Sequence, residues 1–180
     1  MKKQQHRVTW VVDPVHTRIR FSIRYLLLTS VSGWFTRFEG VIMAAADDFS
    51  DAQAQLTIFT SSIDTGNTRR DVHLRSADFF DVEKYPVISF ESTSVETAGI
   101  FINMTGILRI KDVTEVIRFN VIHNGTVVDQ LGNIKAGFEM ESAFNRRDLH
   151  LQWNEFFDTF EVLLSDEVKI FCDVELLKLV

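Results

Sequence analysis

At 180 residues, with 46% hydrophobic and 24% charged side chains, the chain suffices for one domain with a real core, taken as residues 1–180, and leaves no room for two ordinary ones. Its net charge of −6 and scattered arginines exclude the concentrated basic surface that phosphate neutralisation needs, so nucleic acid is not expected as a partner. One cysteine, Cys172, excludes an internal disulfide and permits the cytosol.

Lys2 and Lys3 lead into Gln4, Gln5, His6 and Arg7, without the apolar run of roughly 7 to 15 residues that a secretory signal needs. A cytoplasmic location is expected on that ground. No stretch approaches the ~20 apolar residues of a bilayer span, so stable membrane insertion is not expected.

Val8, Trp10 and Val12 make a short opening strand that stops at Asp13 and Pro14. Residues 17–24 alternate most cleanly, with Ile19, Phe21 and Ile23 on one face and Arg18, Arg20, Ser22 and Arg24 on the other, as in a half-buried antiparallel strand. The arginines read as a solvated face. Residues 33–46 run long, but Phe35 and Phe38 have opposite parity, which predicts a bulge that shifts the phase. A polar turn at 47–51 precedes a return over 54–63, with Leu56 and Ile58 opposed by Gln55 and Thr57.

Residues 66–85 form a polar and aromatic crossing. Asp64, Gly66 and Asn67 are turn residues; Asn67 or Thr68 can cap a short helix with Asp71 in its first turn, and Ser76 and Asp78 look like a second helix start before Phe79 and Phe80. Pro86 lacks a donor N–H and suits the first position of a strand over 87–95. A turn at 97–99 leads into 100–110, where Ile102, Met104, Leu108 and Ile110 share a face. Ile117, Phe119 and Val121 then alternate within 115–123, and Asn124 with Gly125 is a strong turn signal. Ile134, Ala136, Phe138 and Met140 share a face, and the last strand sets Val168, Ile170, Cys172, Val174 and Leu176 against Lys169, Asp173 and Glu175, with Phe171 as the exception.

This makes about eight antiparallel strands with long insertions at 66–85 and 149–166. The fold class is all-β. Periodicity leaves open whether the strands form a sandwich or close into a barrel; a barrel of eight has an interior that is either filled or wide enough for one small ligand.

The run SIDTGNTRRDVHLRSADFFDVEKYP resembles the YceI-like family of lipid-binding proteins. VDPVHTRIRFSIRYL, the spacing of Gly33, Phe35, Phe38 and Gly40, VISFESTSV, TGILRIKDVTEVIRFNV, KAGFEMESAFNRRDL and SDEVKIFCDVEL resemble further family elements in the family's order, and together they cover almost the whole chain. The resemblance implies an antiparallel eight-stranded lipocalin-like barrel with a short helical insertion and an elongated apolar lumen. It also implies non-enzymatic binding, sequestration or carriage of a long-chain apolar lipid, such as a polyisoprenoid, an isoprenoid quinone or a fatty-acid derivative, and it suggests a homodimer. Many relatives carry an export signal.

The pocket residues so implied are Ile19, Phe21, Ile23, Phe38, Leu56, Ile58, Phe90, Leu108, Phe119, Phe138, Met140 and Ile170. Taken singly, each reads first as ordinary core, since interiors pack closely. The chain departs from the family pattern at Tyr25, where histidine is usual, and at Asp112 and His150, where glycine is. Its 149–166 insertion lacks the usual glycines and carries Trp153, Phe156, Phe157 and Phe160, bulk that is expected to cover or narrow the mouth.

Arg70, Asp71 and His73 are the best basis for an enzyme reading, in which Asp71 orients His73 as an acid–base pair. The motif holds no nucleophile, and a helix cap plus an ion pair accounts for Asp71. His6, His16, His123 and His150 show no HxH or HExxH spacing, so neither a metal nor another cofactor is expected. Asn145, Arg146 and Asp148 are expected to fix a loop. A filled barrel with a stress-related scaffolding role is the remaining alternative.

Overall fold

The computed structural model describes residues 7–25, 28–151 and 164–179. It contains strands β1 (Val8–Val12), β2 (Arg18–Tyr25), β3 (Thr29–Phe35), β4 (Phe38–Ala44), β5 (Gln53–Phe59), β6 (Ile63–Asp64), β7 (Val87–Ala98), β8 (Phe101–Ile110), β9 (Val113–Val128), β10 (Ile134–Asn145) and β11 (Leu164–Lys178), and helix α1 (Thr68–Arg75). Three strand pairs lie end to end. Strands β1 and β2 both run antiparallel along β11, whose residues 176–178 face β1 and 164–173 face β2. Likewise β3 and β4 continue one another, as do β5 and β6 through a turn of 3-10 helix at Thr60–Ser62.

These pairs act as bent staves. With them joined, the sheet order becomes a closed antiparallel barrel of eight staves, each beside its chain neighbours, and the last stave meets the first through β11 and β1. Closure leaves no sandwich and removes sheet edges.

The bends have identifiable causes. Asp13 and Pro14 interrupt the first stave, but Thr17 restores it: its hydroxyl accepts from the Glu175 N–H at 3.1 Å, while the Asp13 N–H donates to the Glu175 carbonyl at 2.8 Å. Thr17 is buried accordingly. In the second stave the phase change between Phe35 and Phe38 is a strand break at Thr36 and Arg37 rather than a bulge within one strand. The break lets both phenylalanines point inward, and Thr36 donates from its N–H and hydroxyl to the Ser62 carbonyl.

Strands β7 to β11 follow the period-2 rule. Ile102, Met104, Leu108 and Ile110 of β8, Ile117, Phe119 and Val121 of β9, and Val168, Cys172 and Leu176 of β11 are buried, and the outward positions between them are polar apart from Ile107 and Phe171. On the inner face of β8, Gly106 leaves room for the Phe90 ring: a Cβ there would collide with that ring and with the Glu91 carbonyl oxygen.

One expected turn is absent. Asn124 and Gly125 lie inside β9, where Phe138 pairs with His123 and Gly137 with Gly125, so Asn124 is the extra residue of a bulge and Gly125 takes φ 127°. The hairpin turn falls instead at 129–133, where the Asp129 carboxylate accepts from the N–H groups of Leu131 and Asn133. Inward-facing positions resume on both sides of the bulge, so continued strand pairing overrides the local Asn-Gly preference.

Candidate functional site: the barrel lumen

Among the described residues, side chains do not fill the barrel. Its inward faces enclose a cavity of about 440 Å³, within the roughly 300 to 1,000 Å³ of small-molecule pockets. Eleven of the twelve residues proposed from the sequence lie on its wall: Ile19, Phe21, Ile23, Leu56, Ile58, Phe90, Leu108, Phe119, Phe138, Met140 and Ile170. Phe38 does not. It faces inward opposite Ile58 but sits at the break between β3 and β4, buried in the core rather than on the lumen wall.

The two ends of the lumen differ. At one end the loop between β4 and β5 folds inward and lays Phe49 across the barrel. Its ring lies 5.2 Å from Trp10, 5.2 Å from His123 and 5.0 Å from Phe138, and the His123 and Phe138 rings stack at 4.8 Å. Phe49 adopts φ 59°, a left-handed conformation costly for an aromatic residue, by roughly 1 to 2 kcal/mol. Asp51 holds it there. Its carboxylate accepts from the Ala45 N–H at 3.0 Å and the Ala46 N–H at 3.1 Å. Partial burial pushes the Asp51 carboxyl up, but those donors and the Arg7 charge outweigh it and leave it below the usual aspartate value.

At the opposite end lie α1, the remainder of the 66–85 crossing, and the 146–151 turn. Asn67 caps α1 by accepting from the Arg70 N–H at 3.1 Å. The second helix start expected at Ser76 and Asp78 is a series of turns instead, which carries Phe79 and Phe80 onto the lumen wall. Phe80 is edge-on to Phe35 at 6.1 Å, and Phe35 is 5.9 Å from Phe21. Asp71 is buried rather than acting as a surface cap: its Oδ1 accepts from the Thr65 N–H at 2.9 Å and the Thr65 hydroxyl at 2.6 Å. Arg70 donates to the Thr65 hydroxyl and carbonyl at 2.7 and 2.9 Å, and Arg75 to the Ile63 carbonyl at 2.6 Å. The motif thus ties the crossing to the end of the third stave, and His73 Nε2 lies 3.8 Å from the Asp78 carboxylate.

Arg146 fixes the other loop, as its motif suggested. Buried itself, it donates to the carbonyls of Ser165 and Leu151 at 3.1 and 3.2 Å and sits 3.4 Å from Asp166. The turn it holds buries Leu149 and Leu151 and takes φ 52° at His150, where the resembled pattern has glycine. Trp153, Phe156, Phe157 and Phe160 lie outside the described residues. Thr65, Arg70, His73 and Arg146 all contribute to the lumen wall near this end, while the wall towards Phe49 is dominated by aliphatic and aromatic groups. Cys172 also lines the lumen, and burial pushes its thiol up to about 12.

Sequence reasoning missed Phe49, Leu151 and the Phe79–Phe80 pair as lumen residues. Each is a bulky apolar residue isolated within a polar stretch, which is the one signal that could have marked it. Outside the barrel, Arg20 pairs with Asp173 at 2.8 Å and Arg18 donates to the Thr17 and Val15 carbonyls, consistent with an exposed face. Asp13, His16 and Glu175 converge near the first bend, where the Lys135 ammonium reaches Glu175 at 2.7 Å and supplies the balancing charge.

Fold and site together define a closed antiparallel barrel built around an apolar chamber. A profile of the YceI-like domain matches residues 10–176, and the chain belongs to that family. A UPF0312 protein of Staphylococcus aureus strain N315 is 32% identical over 164 residues, covering 91% of this chain and 94% of its own. The YceI protein of Campylobacter jejuni superposes with a TM-score of 0.73 at 28% identity, over 86% of this chain and 89% of that one. At 17% identity, a polyisoprenoid binding domain from Saccharophagus degradans shares the fold with a TM-score of 0.67, over 93% and 97% of the two chains.

Proposed function

We propose that the protein is a non-enzymatic carrier that encloses a single long-chain apolar lipid, of polyisoprenoid or similar character, in the barrel. One observation carries this reading: a chamber of about 440 Å³ whose wall is almost wholly hydrocarbon. Even a 150 Å³ apolar cavity stays dry and takes up benzene, and a dry channel gains about 0.8 kcal/mol per CH₂ drawn from water. Part of that gain is offset by ordering a flexible chain. The tail points towards Phe49, and the head group sits at the α1 end, where the polar wall residues gather. The family membership and the fold shared with a polyisoprenoid binding domain support the same ligand class.

Asp71 and His73 do not favour the enzymatic alternative, because the Asp71 carboxylate is engaged by Thr65. Mild purification followed by organic extraction and mass spectrometry tests the proposal, together with a titration of the extracted protein by a polyprenyl quinone. A stoichiometric lipid, or saturable uptake of the quinone, is expected. Protein that is lipid-free as isolated and ignores the quinone would contradict it.

A further inference from the structure

We infer that Phe49 sets the greatest chain length the lumen accepts, an assignment that rests on the carrier reading and deepens it. The residue belongs to the β4–β5 loop rather than to any stave, yet it is only 3% exposed and lies on the lumen wall. Its neighbours divide cleanly. Of its three ring partners, Phe138 lines the lumen, whereas Trp10 and His123 do not. The Phe49 ring is therefore the floor.

That floor is rigidly placed. Asp51 holds the loop through two backbone N–H groups, the left-handed backbone at Phe49 aims the ring inward, and three aromatic partners fix its tilt. Trp10 and His123, which form no part of the lumen wall, each pack against the Phe49 ring at a centroid distance of 5.2 Å. A terminal methyl group that reaches the ring has no further apolar space to enter. Affinity then stops rising with chain length, and each extra methylene is forced back towards the α1 end.

The test is the affinity of a homologous series of straight-chain fatty alcohols, one methylene apart, for wild type, Phe49→Ala and Phe49→Trp. Folding of each variant is checked by circular dichroism, and Phe49→Leu replaces the alanine variant if that one does not fold. Wild type is expected to gain about fourfold per methylene up to a limit. The alanine or leucine variant moves that limit to longer chains, binding the first chain beyond the wild-type limit about fourfold more tightly than wild type does. The tryptophan variant moves it to shorter ones. A limit that stays in place in folded variants overturns the assignment of Phe49 while the carrier reading stands. A wild-type protein that takes up no member of the series overturns the carrier reading, and the assignment with it.

Discussion

At the scale of single residues, the side chains that matter most are those that hold a neighbour in an unfavourable place. Asp51 maintains the left-handed backbone of Phe49, so Asp51→Ala is expected to cost about 1.5 to 3 kcal/mol, typical for hydrogen bonds to a charged group; urea unfolding at neutral pH measures it. The pH dependence has a definite sign. The folded-state value of Asp51 lies below its ordinary 3.8, so its contribution is present above that pH and fades as pH falls further through the folded value. The stability gap between wild type and Asp51→Ala should narrow at acid pH, and a gap that widens there would exclude this role. Cys172 offers a second check. With its thiol pushed up to about 12 and its side chain buried, it should be inert to a thiol reagent at pH 8 until the protein unfolds. Fast labelling of native protein would place it outside the wall.

Among the elements, the bent staves explain both what could be read from the chain and what could not. Alternation in β2, β8, β9, β10 and β11 was legible because one face of each is lumen or core and the other is solvent, so period 2 is written directly into the residues. The first bend was not, since Asp13 and Pro14 read as a strand end, and the group that repairs the break is Thr17 bonding to Glu175, 158 residues away. Thr17→Val should therefore cost about 1 to 3 kcal/mol by leaving the Glu175 N–H without that acceptor, measurable by thermal or chemical melting. Asn124 and Gly125 misled for the converse reason, as a local turn preference was overridden by pairing on either side. Phe49 was invisible to periodicity because a lone aromatic in a polar loop has none. In β8, Gly106→Ala is expected to destabilise by about 1 to 3 kcal/mol, since the added methyl has to displace the Phe90 ring from the lumen wall; a neutral effect on the melting temperature would show that the ring does not rest there.

For the molecule as a whole, closure of eight staves is what turns ordinary alternation into a binding chamber. The same inward residues in a two-layer sandwich would pack against each other; around a barrel of this size they stand apart and leave apolar space. Polar hydrogen bonding is spent on architecture, with Asp71, Arg70 and Arg146 tying the crossing and the 146–151 turn to the barrel. In the carrier proposed above, recognition then falls to length and shape, with a floor at Phe49. The most direct test is a crystal structure of the protein loaded with a polyprenyl quinone. Continuous density for the prenyl chain is expected along the barrel axis, ending at the Phe49 ring. Density confined to the outer surface, or a lumen closed by rotated side chains, would contradict the account.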